Sequence, residues 1–472
     1  MSKALSGNEG ISSRAKGTLL VLCGAIFLEG IDVAMLNVAL PSIRAELGLS
    51  TTSLSAVVSA YVLGYGGFML LGGRAADLFG KRRMFLLALA VFLIFSGLGG
   101  FATEGWMLLV ARFVTGVASA FMTPAGLALI TANFPEGPLR NKAVLVYAGT
   151  AAAGFSLGLV AGGLLTAIDW RWVFFAPVIL AAIILALSLW LIADTEKRNA
   201  SGKFDVPGAI TLTGAMLLAA YGVTRLERPG ESLDWTLAAF GASATLWLSF
   251  FLIERATKSP LVRLGLLHSG SLIRANLGAM LFAGSFFGFQ FLVTLYLQEL
   301  LGWTPMQTSL ALLVVAIDAI LAPTLTPSLV GRFGNVRVIL GGFILAAISY
   351  ALFFRMDVDW TYAAMFPSMI LLGLAFSLGY GPLTILATDG IAENEQGLAS
   401  GLVNTAFQFG AALGLSAVSA ISTYALGDET SPEARLDALR MAMMVPITAA
   451  ALGALITATG LGRQKKRSVA PA

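Results

Sequence analysis

The sequence predicts an all-α integral membrane protein, with about 14 transmembrane helices forming two pseudo-symmetric six-helix bundles plus two additional helices. The first observation is composition. Of the 472 residues, 57% are hydrophobic and 12% charged, whereas soluble domains carry about a quarter charged residues. The second is length: apolar runs of roughly 20 residues recur along the chain, enough to cross about 30 Å of hydrocarbon at about 1.5 Å per helical residue. The third is pattern. The alternation of polar and apolar positions over about ten residues that marks a membrane β-strand is absent, and 52 glycines suit close helix contact in lipid.

The polar, weakly basic opening, "MSKALSGNEGISSRAKG", precedes an apolar run that is too long for a signal peptide and lacks its small-residue cleavage pattern, so no processing is expected. The first six spans read as 18–40, 54–72, 84–102, 106–131, 143–166 and 173–193. The polar stretch "DTEKRNASGKFDVPG" leads into two spans at 207–225 and 235–253, which "ERATKSPLVRLGLLHSGSLIRAN" closes off. Six more follow at 275–299, 307–330, 336–354, 361–387, 397–424 and 440–461. The expected organisation is an N-terminal six-helix bundle over 1–198, a two-helix insertion with linkers over 199–266, and a C-terminal six-helix bundle over 267–472.

A weak internal repeat supports that plan. "GGRAADLFGKRR" after the second span is echoed by "LVGRFGNVR" after the second span of the last six, with Gly-Arg and Phe-Gly in the same order. Duplicated helical bundles around a central path are a common transporter plan. An even number of spans puts both termini on one side. Sorting lysine and arginine by loop gives about 22 on that side and about 7 on the other, so the termini are expected in the cytoplasm. The tail "GRQKKRSVAPA" fits as a basic anchor next to the membrane.

Charges inside spans are the candidate functional residues. Glu29 and Asp32 lie in "LEGIDVAMLNVALP", an apolar run with no other charge between Thr18 and Arg44. Three residues apart on a helix, they share a face. A charge at the bilayer centre costs about 2.5–3.5 kcal/mol on insertion scales, so both must face water or a partner. Carboxylates lining a partly desolvated cavity can load and release protons, which is what a proton-coupled carrier needs. The plain alternative is a neutral acid that hydrogen-bonds a neighbouring helix. Asp318, in "LLVVAIDAILAP", is a third acid, expected mid-span in the opposite half. Arg112 is the lone basic residue in mid-span; an acid or helix-end carbonyls should satisfy it, either for proton coupling or as structural pairing, with Asp318 as one possible partner. Asn37, Tyr61, Phe121, Gln290, Tyr296, Asn404 and Gln408 could complete a substrate cavity or simply pack helices.

From Gly73 to Arg83 the likeness to a known family becomes specific. "GRAADLFGKRR" resembles the Gly-x-Leu-Ala-Asp-x-x-Gly-Arg-Arg loop of the major facilitator superfamily, and fourteen spans with "IDVAMLNVALP" in the first are similar to its branch of fourteen-span drug:proton antiporters. Asp32, Asn37 and Ala39-Leu40-Pro41 match the first-helix signature; Ala34 replaces a threonine, and Glu29 is outside the pattern. "LLVARFVTGVASA" resembles the fourth-helix motif with its arginine at Arg112, Thr115 standing where glutamine is usual. "WRWVFF" and "YLQELLGWTPMQTSL" extend the likeness along nearly the whole chain. In the fifth span "GFSLGLVAGGLL" has Leu159 in place of the antiporter motif's proline, which weakens the expectation of export. Gly154, Gly158 and Gly162 still recur every four residues, as a packing seam or as a flexible seam between the two halves.

The loop reads as a conformational latch. Gly73 and Gly80 would permit tight turns, Asp77 would meet a helix N-terminus or an arginine, and Lys81, Arg82 and Arg83 would hold the cytoplasmic side. A basic loop serving only as a topology signal would need neither the glycines nor the acid.

Other classes are disfavoured. Cys23 and His268 are the sole cysteine and histidine, so a disulfide, a histidine dyad and a metal site are not expected. The formal charge of +4 reflects loop residues and not a nucleic-acid surface. Without a Gly-x-x-x-x-Gly-Lys-Ser/Thr loop, ATP drive is not expected, and no cofactor beyond a proton gradient is needed. The expectation is therefore a bacterial inner-membrane secondary transporter, not an enzyme, that exports amphipathic, cationic compounds in exchange for protons. A carrier for one antibiotic, metabolite or anion is the nearest alternative, and a receptor or scaffold would leave the buried acids unexplained.

Overall fold

The computed structural model describes residues 13–134, 138–193, 205–225, 233–257, 265, 269–391, 393–427, 429 and 431–461, and every regular element among them is helical. The first group comprises α1 (Ser13–Leu47), α2 (Thr51–Phe79), α3 (Lys81–Gly100), α4 (Gly105–Asn133), α5 (Pro138–Ile168) and α6 (Trp172–Leu191). Two further helices, α7 (Val206–Arg225) and α8 (Leu233–Ala256), precede a second group: α9 (Gly270–Leu295), α10 (Pro305–Leu313), α11 (Asp318–Phe333), α12 (Asn335–Phe353), α13 (Tyr362–Thr388), α14 (Glu393–Leu426) and α15 (Pro432–Ala458). Among the described residues, thirteen helical stretches are long and apolar enough to cross a membrane, and α7 adds a shorter apolar stretch, Val206–Ala219. Below, the near face is where α1 begins and the far face is where it ends.

Local chemistry sets the breaks. Ser50 caps α2 by accepting from the Ser53 amide at 3.1 Å, and Thr304 and Gln307 form a reciprocal capping box at the start of α10. The echoed motifs fold alike: Gly80 joins α2 to α3 at φ 96°, and Gly334 joins α11 to α12 at φ 81°. A side chain at either turn would be strained, because positive φ brings Cβ against the backbone. Gly73 differs from expectation. It lies inside α2, which continues to Phe79, so the expected loop contains a single turn, at Gly80. The apolar run simply keeps satisfying its backbone helically until Gly80 permits a reversal.

The tenth span is also not one straight helix. A 3-10 turn, Val314–Ile317, separates α10 from α11, and a π turn, Tyr296–Leu300, ends α9. Such irregularities are rare in helices and frequent at functional sites.

Packing divides the molecule in two. α1 lies along α5, α2 along α4, and α3 against α4 and α6; α9 lies along α14 and α15, and α12 along α13 and α15. The groups meet where α2 crosses α14 and where α5 meets α10. α7 touches both sides of the first contact. Thr213 donates to the Gly67 carbonyl of α2 at 2.6 Å, while Leu212 and Phe250 pack with Leu398 and Leu402 of α14.

Gly154, Gly158 and Gly162 do not lie between the halves, contrary to one of the two expectations. They face α1, where a Cβ on Gly158 would come within 2.8 Å of the Ile31 backbone and one on Gly162 within 2.8 Å of Met35 Cα. The stripe lets two backbones of the same group touch. The adjacent Gly163, a step around the helix, is the one that meets Ser309 and Met306 of α10.

Candidate functional site

Asp32 and Arg112 form the centre of the N-terminal group. Arg112 Nη1 of α4 donates to Asp32 Oδ2 of α1 at 2.6 Å, and both side chains are 2% exposed. The guanidinium sits over the Tyr61 ring of α2, 4.3 Å from its centroid, and Tyr61 donates to Ser119 Oγ at 3.0 Å. Arg112 therefore pairs with Asp32 and not with Asp318. A buried ion pair of this kind stands only because each charge compensates the other; removing one partner is expected to cost about 3–5 kcal/mol.

Glu29, one turn before Asp32, occupies a different setting. Thr123 Oγ1 of α4 donates to it at 2.5 Å, and the Tyr65 hydroxyl of α2 lies within hydrogen-bonding reach. Tyr65 meets Tyr61 edge-on at 6.0 Å, so the Glu29 and Asp32 sites touch through two rings. Tyr147 of α5 closes the group by donating to the Thr123 carbonyl at 3.4 Å.

Asp318 opens α11 directly after the 3-10 turn and is half-buried. Mid-span by sequence, it stands at a helix start, and among the described residues it makes no ion pair. The residues expected to line a cavity separate into groups. Tyr61 belongs to the Arg112 cluster; Asn37 and Gln290 are buried, with Asn37 Nδ2 and Gln290 Oε1 lacking a hydrogen-bond partner among the described residues. Gln408 of α14 faces Gly66 of α2 at the contact between halves, and Asn404, one turn earlier on α14, is half-buried. Phe121 packs between the two large apolar clusters. Tyr296 is a correction. It is fully buried within the C-terminal group, where its hydroxyl donates to the Asp357 carbonyl at 2.5 Å and its ring packs on Phe353, so it faces no space shared by the halves.

In the near-face loop, Arg82 caps the end of α6, donating to the carbonyls of Ile192 at 2.7 Å and Leu189 at 3.1 Å. Lys81 and Arg83 stand beside it in the first turn of α3. The Asp77 side chain lies outside the described residues.

At the far face the structure brings together residues that sequence reading passed over. Gln298 Nε2 donates to the Val38 carbonyl of α1 at 3.0 Å, and Arg44 Nη1 of α1 meets both carboxylate oxygens of Glu299, at 3.0 and 2.8 Å. Gln298 and Glu299 are consecutive residues of the π turn, and both reach α1. An arginine and a glutamate at span ends are too ordinary to stand out in a sequence. Only the unusually polar "QE" inside the run "YLQELLG" could have marked them.

Two packed groups of membrane-length helices, one of them holding a buried acid–arginine pair between its helices, define a membrane carrier. The chain belongs to the Major Facilitator Superfamily, which it matches over residues 22–415. It is 34% identical to the puromycin resistance protein of Streptomyces alboniger, across 93% of this chain and 89% of that protein. It is 32% identical to the lincomycin resistance protein of Streptomyces lincolnensis, across 87% of this chain and 85% of that one. Among solved structures, a bacterial homologue of the human lysosomal transporter Spinster, in an inward-facing and unoccupied conformation, superposes with a TM-score of 0.67 at 17% identity, covering 96% of this chain and 99% of that one. That likeness concerns the fold.

Proposed function

We propose that this protein exports amphipathic, cationic compounds across the bacterial inner membrane in exchange for protons, with both termini in the cytoplasm. The observation that carries the reading is the Asp32–Arg112 ion pair, 2% exposed on both sides and set on the two helices that also hold Glu29 and Thr123. A proton on Asp32 removes the charge that Arg112 compensates, so protonation and helix arrangement are linked through one contact. The two six-helix groups, within 1–198 and 267–472, act as the moving bodies, and α7 and α8 ride on their α2–α14 contact. Orientation follows the excess of lysine and arginine in the loops on the terminal side. The relatives named for resistance to antibiotics support outward transport.

Asp77, with Gly73, Gly80, Lys81, Arg82 and Arg83, biases the conformation at the near face; Arg82 ties the start of α3 to the end of α6 within the N-terminal group. Asp318 meets substrate from the C-terminal half, with Asn404 and Gln408 contributed by α14 of the same group. Protein in liposomes under an imposed pH gradient, offered cationic, neutral and anionic compounds, tests the reading; uptake that does not respond to the gradient sinks it. A second reading, a carrier dedicated to one antibiotic, is favoured by relatives named for single antibiotics, and the same panel separates it by the number of compounds moved.

A further inference from the structure

The first helix of the insertion leaves a gap where it meets the N-terminal group. Thr213 pins α7 to α2 through the Gly67 carbonyl at 2.6 Å. α2 and α4 touch backbone to backbone: a Cβ on Gly64 would strike the Phe113 carbonyl, and one on Gly116 that of Tyr61. Toward the far face from the Thr213 pin, the three helices do not close. A cavity of about 370 Å³ lies between Ala56, Ser59 and Ala60 of α2, Val110 and Phe113 of α4, and Tyr221 of α7. Its α2 wall is built of small side chains at positions i, i+3 and i+4, one face of the helix, which leaves room beside the larger side chains of α4 and α7.

The lining defines what fits. Among the described residues no charged side chain lines the cavity, so an ion or a charged headgroup has no counterpart in it. Val110 is 47% exposed and Tyr221 48%, and no residue of α9–α15 contributes to the walls, so the cavity opens sideways onto hydrocarbon and not into the space between the halves. Ser59 is 4% exposed, and its hydroxyl has no hydrogen-bond partner among the described residues. Serines inside helices commonly return that hydroxyl to a backbone carbonyl one turn earlier, as Ser188 and Ser309 do here. An ordered water is held by about two to four polar partners, and Ser59 alone offers a polar side chain from the α2 and α4 walls. The volume falls within the range of about 300–1,000 Å³ typical of small-ligand sites.

We propose that this cavity seats an acyl chain of a membrane phospholipid from the leaflet at the far face, the chain lying along Ala56 and Ala60 and its ester carbonyl accepting from Ser59. The apolar chain matches the uncharged walls, the open side admits it from the surrounding bilayer, and the ester oxygen supplies the acceptor that Ser59 lacks. The chain fills the contact that protein side chains leave open between α7 and the N-terminal group. α7 thereby gains a task separate from substrate movement: it roofs a lipid site on α2 and α4. No residue of the Asp32–Arg112 cluster belongs to the site, and the seat does not depend on what the carrier transports.

The test uses the purified full-length protein in lipid nanodiscs doped with phosphatidylglycerol that bears a diazirine midway along one acyl chain, or with its ether-linked analogue, which lacks the carbonyl. After illumination, mass spectrometry locates the adducts. Wild type should carry adducts around the cavity on α2, α4 and α7 well above the level on the exposed face of α6, and should take the ester over the ether by about two- to tenfold. Ser59→Ala should bring the two probes level. Ala60→Phe, which puts a ring into the space, should abolish the excess labelling there and leave that of α6 unchanged. Thermal unfolding of each variant accompanies the labelling. Labelling of the three helices no higher than that of α6 overturns the proposal, as do a wild type indifferent to the ester, an ester preference that survives Ser59→Ala, and full labelling of a folded Ala60→Phe. Should Ala60→Phe unfold, the ester and ether pair on wild type and Ser59→Ala carries the test.

Discussion

Arg44 of α1 and Glu299 at the end of α9 join the two halves at the far face, one guanidinium nitrogen lying 3.0 and 2.8 Å from the two carboxylate oxygens. The same pair of elements is joined deeper by Gln298 and the carbonyl of Val38, six residues before Arg44 on α1. Val38 lies six positions after Asp32, so the helix that carries the proposed proton site also carries the seal.

Breaking this pair should therefore open the far face. Its side chains are 31% and 26% exposed, so solvent screens the pair and its contribution is discounted to about 0.5–1 kcal/mol, a shift of about two- to fivefold in population. In a Cys23→Ser background, labelling of Asn37→Cys by an impermeant maleimide should rise by that factor with Arg44→Ala. Exchanging the charges, Arg44→Glu with Glu299→Arg, should restore the original rate. An unchanged labelling rate in Arg44→Ala shows that the pair holds nothing closed.

The Asp32–Arg112 pair predicts a separation of stability from function. Asp32→Asn leaves a buried cation uncompensated and should lower stability by about 3–5 kcal/mol, with loss of uphill transport. Adding Arg112→Gln removes the stranded charge, so unfolding temperature should recover in the double variant while transport does not. Thermal unfolding beside liposome transport measures both, and a double variant that transports at the wild-type rate refutes the coupling role.

Close backbone contact at the α1–α5 seam should be sensitive to a single methyl group. Gly158→Ala places Cβ 2.8 Å from the Ile31 backbone, where no side chain can rotate away, and should lower stability by about 1–3 kcal/mol. Gly149, on the same helix, has nothing within 4 Å of an added Cβ, so Gly149→Ala should be neutral or stabilising by about 0.5–1 kcal/mol. Unfolding curves for the two variants should move apart; equal shifts would mean the seam is looser than it looks.

Asp318 makes no ion pair among the described residues, so Asp318→Asn should leave unfolding unchanged. With acids contributed by both halves, a ligand carrying two separated charges should suffer about tenfold or more, whereas some monocations are spared. Export rates for matched mono- and dicationic dyes decide this. Uniform loss, or none, removes Asp318 from substrate recognition.

The helices themselves were legible because membrane burial leaves the sequence little freedom. Every backbone amide in lipid must bond within its own segment, so each apolar run of sufficient length becomes a helix, and spans read as 54–72 or 336–354 fall inside α2 (Thr51–Phe79) and within a residue of α12 (Asn335–Phe353). The isolation of Glu29, Asp32 and Arg112 in apolar runs marked them for the same reason: a charge in hydrocarbon requires a partner or water. Which partner it takes is a matter of where helices cross, and crossing depends on long-range packing that no local pattern encodes. The sequence alone left Arg112 open to an acid, with Asp318 as the named candidate, or to helix-end carbonyls, Gly154 to Gly162 open to two seams, and Gly73 read as a turn. The tertiary structure decided these by laying α1 on α5 and α2 on α4, so that Asp32 and Arg112 meet and the glycine stripe closes within one half. The contacts of Gln298 and Glu299 with α1 were likewise invisible, because they depend on where the end of α9 meets α1 and not on the local residue pattern.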